Sequence, residues 1–257
     1  MPNLLSNSLT LQKYSNLDVL EKKASVSTLV KSLSSITDRN LITESINEGI
    51  ILLNPKWQEV FSARQLCHVV LVFLDISSFS TITKGWDSQL IGKYLDKYYD
   101  IVLPMVYKHD GVVEKIMGDG IIAIFGEPFV TGTTMDYLRR AERFSRESIL
   151  TLEQNDISTK CAIHDGQIMY YSTIPEEYLD YTIVGEVVTE LFRLESISTE
   201  GRINYFKDSG YDKLAIADLE KDEGRQQQKI YYTVNNDDTP VILQGIGGKV
   251  VKTITPQ

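Results

Sequence analysis

The chain carries only two cysteines in 257 residues, Cys67 and Cys161. Two isolated thiols, each set in apolar or strand-like sequence, make neither a disulfide framework nor a cysteine zinc site, so a reducing compartment is expected. Basic runs are also scarce. The 26 Lys and Arg are outnumbered by 35 Asp and Glu, giving a net charge of -9. No stripe of cations is available to neutralise a phosphate backbone, so no nucleic-acid partner is expected. That balance does not exclude a nucleotide substrate, because a bound cation reverses charge locally. Long apolar runs are missing too. The longest, at 69–74 and 120–125, are strand-sized and too short to cross a bilayer, so no membrane span is expected. The N-terminus lacks a basic start followed by an apolar stretch, so no signal peptide is read there. These absences predict a soluble, cytoplasmic protein. No internal repeat or low-complexity tract is present.

What is present is ordinary globular material. The length suits one well-cored domain with an appendage, or two small domains. Residues 1–15 are polar. From 16 to 36 the apolar residues Leu20, Val26, Leu29, Val30, Leu33 and Ile36 recur at helical spacing, and 41–49 reads as a second short helix. Pro55 and Lys56 break the pattern. Residues 1–60 are therefore read as an N-terminal helical extension, serving as a cap, a dimer-forming helix pair or a stub. Residues 61–257 form the main domain. Residues 68–75 read as a buried strand, followed by turn or cap chemistry at Ser77, Ser78 and Ser80. Residues 87–108 show a long apolar helical face, with Pro104 expected to kink or end it and Asp110-Gly111 to stop it. Two apolar runs, 112–117 and 121–125, flank Gly118-Asp119-Gly120 as a hairpin. A charged amphipathic helix follows at 135–154. Strands are expected at 159–171 and 181–184, a helix at 186–196, and closing strands at 215–219 and 229–234. The class is α+β, a mixed sheet flanked by helices.

Two acids interrupt these patterns. Asp75 ends an apolar strand, where burying it unpaired is costly. Asp119 sits at the hairpin tip between two glycines. Side-by-side strands would bring both carboxylates to one edge of the sheet, the minimal arrangement for holding Mg²⁺ or Mn²⁺ on a triphosphate. Each has a plainer reading: Asp75 as the N-cap of the next helix, Asp119 as an Asp-Gly turn residue.

The stretch V-F-L-D-I-S-S-F-S at 72–80, followed by V-E-K-I-M-G-D-G-I-I-A-I-F-G-E-P at 113–128, resembles the catalytic domain of class III nucleotidyl cyclases. A-I-H-D-G at 162–166 and L-D-Y-T-I-V-G-E-V-V-T-E-L-F-R-L-E at 179–195 extend the similarity, which runs from about residue 65 to 234. The resemblance implies a ferredoxin-like, palm-type sheet. It implies cyclisation of a nucleoside triphosphate, ATP before others, with two Mg²⁺ or Mn²⁺ ions held by Asp75, Asp119 and the Ile76 carbonyl. Ser77, Ser78, Phe79 and Ser80 would cradle the phosphates, with Gly118 in the hairpin beside them. Lys115 falls where adenylyl cyclases of the family read the adenine ring, and Thr182 is its partner position. Arg193 matches the arginine that stabilises the transition state. The family's active site forms between two subunits, which implies a homodimer with shared sites.

The plainer readings are a solvated strand lysine for Lys115, a β-branched strand residue for Thr182, and a helix arginine paired to Glu190 or Glu195 for Arg193. The sequence also departs from the family. Thr189 replaces the usual ribose-binding Asn, Gly185-Glu186-Val187 replaces Gly-Asp-Thr, and Tyr170 and Tyr171 stand where glycine is common. These departures keep open a cyclase for another base, GTP or a pyrimidine triphosphate as in bacterial antiphage cyclases, and a regulatory domain without catalysis. A diguanylate-forming enzyme is excluded, because its Gly-Gly-acid-acid-Phe hairpin is absent.

Overall fold

A computed structural model of the chain describes residues 60–61, 63–172, 181–223, 232–235 and 239–256. The helices expected at 16–36 and 41–49 lie outside the described residues. The sheet is built around β1 (Leu66–Ile76), whose Val69, Val70, Leu71, Val72 and Leu74 are fully buried. A strand covered on both faces needs a continuous apolar run rather than an alternating one, which is what this segment supplies. β1 pairs antiparallel with β3 (Gly120–Gly126) on one side and with β4 (Thr159–Ser172) on the other. β2 (Val112–Met117) forms the hairpin with β3, and β5 (Tyr181–Val184) folds back on β4. β6 (Ile203–Phe206) runs parallel to β4, and β9 (Gly247–Pro256) bridges β6, β7 (Tyr232–Asn235) and β8 (Pro240–Leu243). The strand order is β2-β3-β1-β4-β6-β9-β7.

Strand periodicity sorts the side chains of β1 onto two faces. Val70, Val72, Leu74 and Ile76 meet Tyr98, Val102 and Val106 of α2 (Ser88–Lys108) and Leu138, Ala141 and Phe144 of α3 (Thr134–Glu153). Val69, Leu71 and Phe73 meet Val187, Leu191 and Leu194 of α4 (Glu186–Ser196). By the same parity Asp75 belongs to the α4 face.

A one-turn helix, α1 (Phe79–Ile82), follows β1. Ser78 stands at its N-cap position in a left-handed conformation, but its side chain makes no cap hydrogen bond. Asp87 caps α2 by accepting from the Leu90 N–H at 2.8 Å. The helix continues through Pro104, so the proline does not end it. α3 opens on a reciprocal capping box between Thr133 and Asp136.

The C-terminal part differs from the sequence-based expectation. Residues 215–219 are not a strand; they lie inside α5 (Gly210–Glu223). Among its described side chains the buried apolar ones are Tyr211, Leu214 and Ala215, which is helical spacing, and a short apolar run alone does not distinguish the two periods. The strand expected at 229–234 is β7, and β6, β8 and β9 were not anticipated. Among the described residues no helix is long and apolar enough to cross a membrane.

Candidate active site

Asp75 and Asp119 come together at one end of the sheet. Asp75 is the penultimate residue of β1, paired with Gly120 on one side and Lys160 on the other. Asp119 occupies the β2–β3 turn, and its carbonyl accepts a hydrogen bond from the Ile76 N–H at 3.1 Å. Gly120 leaves room for the Asp75 carboxylate. A Cβ at that position would lie 2.7 Å from the Phe73 ring and 2.8 Å from Asp75 Oδ1. Asp75 is thus a strand residue, not the cap of the helix that follows.

Three carboxylates and one ammonium share this end of the sheet. Burial, then the charge of Asp119, then that of Glu195, push the Asp75 carboxyl up to about 6, against the opposing pull of Lys160. Lys160 Nζ lies 2.7 Å from Glu195 Oε1 and 3.6 Å from Asp75 Oδ2. Burial alone would lower the Lys160 pKa; the hydrogen bond and charge of Glu195, with Asp75, raise it instead. A single ammonium therefore serves two carboxylates while a third, Asp119, adds to the same field. Neither Lys160 nor Glu195 is singled out by local sequence, because strand pairing and the return of α4 create their meeting with Asp75.

The donors fit a hard divalent ion. Asp75, Asp119 and the Ile76 carbonyl are all oxygen ligands. Among the described residues no group of three or more His, Cys, Asp or Glu side chains is placed to hold a metal. Such an ion would complete its shell with further oxygens, from water in the free chain and from the phosphates when a triphosphate is bound. Beside this pair, the Ser77 hydroxyl is buried and has no hydrogen-bond partner. The Ser77 N–H is already donated to the Ser158 carbonyl at 2.8 Å, so only its hydroxyl is left to meet a phosphate. Ser78 and Ser80 are exposed, and half-buried Phe79 stacks on Tyr94 with ring centroids 6.4 Å apart. The first N–H groups of α1 have no intrahelical partner.

The remaining candidates are distributed differently. Lys115 lies opposite Ile122, which lies opposite Phe73, so Lys115 shares the face of Asp75. Gly118 opens the turn with φ 64°, a conformation that favours glycine. Thr182 pairs with Tyr171, at the far end of β4 from Lys160. Eleven residues of straight strand span about 36 Å, so Thr182 and Asp75 of one chain cannot grip the same nucleotide. Thr189 and Arg193 stand one turn apart on α4, the first exposed and the second half-buried. The surface pairing considered for Arg193 is not formed. Glu190 is held by His164 at 2.7 Å and Lys249 at 2.8 Å, and Glu195 by Lys160.

No protein-family model matches the chain. A relative with a named activity is Adenylate cyclase 1 of Rhizobium meliloti, 23% identical over 201 residues, which are 72% of this chain and 29% of that protein. The chain therefore spans less than a third of this relative's length. The guanylate cyclase domain of RhGC from Catenaria anguillulae, solved in complex with GTP, superposes with a TM-score of 0.61 at 18% identity, covering 75% of this chain and 99% of that one. The adenylyl cyclase CyaB from P. aeruginosa gives a TM-score of 0.62 at 20% identity, covering 75% and 96%. Guanylyl and adenylyl cyclases thus share this architecture, and the chain has the fold of class III nucleotidyl cyclase catalytic domains.

Proposed function

We propose that the chain is a nucleotidyl cyclase that converts a nucleoside triphosphate, ATP before others, to its 3′,5′-cyclic monophosphate and pyrophosphate. The observation that carries this reading is the convergence of Asp75 and Asp119 at one sheet end, with the Asp75 carboxyl pushed up to about 6 by burial and by the charges of Asp119 and Glu195. In the reaction the ribose 3′-oxygen bonds to the α-phosphorus, its proton leaves, and the bond to the β-phosphate oxygen breaks. Mg²⁺ or Mn²⁺, two ions by family resemblance, would screen the phosphate charge and make the 3′-hydroxyl more acidic. Asp75, Asp119 and the Ile76 carbonyl would hold them. Ser77 Oγ, Ser78, Phe79 and Ser80 would line the phosphates, and Gly118 gives the hairpin its turn. Lys115 would read the adenine edge with Thr182. Arg193 supplies a planar donor to charge developing on the phosphate, and Thr189 a hydroxyl to the ribose.

The separation of Thr182 from Asp75 along β4 favours a site shared between two copies of the chain. In a two-fold dimer each copy would lend its aspartates to one site and its Thr182, Thr189 and Arg193 to the other.

Turnover of ATP, GTP, CTP and UTP with Mn²⁺ tests the reading. Cyclic AMP should dominate and should vanish in Asp75→Ala. A different cyclic product would replace ATP by that nucleotide, and no cyclic product from any of the four would sink the reading.

A further inference from the structure

We propose that Tyr98 and Tyr99, consecutive phenols on α2, are positioning residues that fix the spacing of the Asp75 and Asp119 backbones. The proposal rests on the reading of those aspartates as cation ligands. Adjacent helix residues point about 100° apart, so two neighbours rarely serve one site. Here they reach two different strands of the same site. Tyr98, fully buried, donates to the Leu74 carbonyl at 2.9 Å. Tyr99, half-buried, donates to the Gly118 carbonyl. Leu74 immediately precedes Asp75, and Gly118 immediately precedes Asp119.

The position of each bond matters. A carbonyl lies in the same rigid peptide plane as the next residue's N and Cα. Anchoring the Gly118 carbonyl therefore anchors Asp119 Cα, and anchoring Leu74 does the same for Asp75. The Ile76 N–H to Asp119 carbonyl bond closes the triangle directly between the two segments. The two phenols do not contribute equally. Leu74 is held by strand pairing on both sides, whereas Gly118 is a turn glycine at φ 64° with wide backbone freedom. Tyr99 thus restrains the looser ligand, and a phenylalanine would keep its ring packing without that restraint.

The test uses the full chain carrying Tyr99→Phe, with Tyr137→Phe as a control. Tyr137 also donates its phenol to a loop carbonyl, that of Gly132 at 2.9 Å, outside the site. Equilibrium Mn²⁺ binding is measured by electron paramagnetic resonance, and amide exchange of residues 117–120 is measured without metal. Tyr99→Phe should weaken Mn²⁺ binding about tenfold and speed hairpin exchange by a similar factor, while Tyr137→Phe changes neither. Unchanged Mn²⁺ affinity and unchanged exchange in Tyr99→Phe would overturn the proposal, as would equal effects from Tyr137→Phe. If the wild-type chain binds no Mn²⁺ yet the hairpin exchanges faster in Tyr99→Phe, the cation reading fails and the clamp stands.

Discussion

Asp75 has a carboxyl that is held above its ordinary range, and this has a measurable consequence. Without metal, folded Asp75 keeps its proton up to about pH 6. An unfolded aspartate loses it at about 4. Between those values the folded state binds more protons than the unfolded one, so the Asp75 contribution to stability is present at the acid end and lost as pH rises through the window. The effect is on the order of 1–2 kcal/mol after allowing for residual solvent access. Other carboxyls pull the opposite way. Glu147 is held low by its hydrogen bond from Lys108, and Glu190 by those from Lys249 and His164, despite burial. The clean measurement is therefore a difference. Urea unfolding of metal-free Asp75→Asn, compared with wild type, should show the variant gaining relative stability from pH 4 to 6.5, and a difference independent of pH would refute the assignment. At this scale the sequence is readable where a residue contradicts its surroundings, as an acid at the end of an apolar strand does. Lys160, Glu195 and Tyr99 contradict nothing locally. Their roles come from contacts across the fold, and no local period encodes those.

At the scale of elements, α4 carries Thr189 and Arg193, and its placement depends on the junction at Gly185. A Cβ there would lie 2.7 Å from the Gln167 carbonyl oxygen, a backbone atom of β4 that no rotamer change moves aside. Gly185→Ala should therefore displace the start of α4 and destabilise the fold by about 1–3 kcal/mol, read as a lowered urea midpoint. An unchanged midpoint would mean that α4 is not seated tightly on β4. The bounds of α4 were legible because Val188, Leu191, Phe192 and Leu194 recur at helical spacing, although the residues it buries are Val187, Leu191 and Leu194. α5 was not legible. Its apolar positions are few, and residues 215–219 satisfy a strand pattern equally well until Tyr211 and Leu214 are seen to be buried with Ala215. The β6 and β9 strands escaped for a related reason: Asn204, Lys252 and Thr253 are polar yet buried in the sheet. Asn204 is satisfied by donating to the Cys161, Thr199 and Arg202 carbonyls, a network visible only in three dimensions.

At the scale of the whole molecule, the proposed site would be divided between two copies of the chain. The mixed sheet flanked by helices was legible from the alternation of periods, and so was the pairing of the two aspartates. The strand registers were not, and it is the register of β4 with β1 and with β5 that sets Thr182 at the far end of β4 from Asp75. If two copies complete each other, damage to the two halves should be separable. Asp75→Ala removes the cation half and Arg193→Ala the phosphate half, so each variant alone should be inactive. Mixing them after dissociation and reassociation yields heterodimers with one intact site and one doubly damaged site. Random pairing then restores about a quarter of the activity of the same amount of wild type. A mixture no more active than its parts would argue that Asp75 and Arg193 act within one chain, or that the two residues do not serve one reaction. Sedimentation of the same mixture separates those outcomes, because a chain that never pairs cannot share a site.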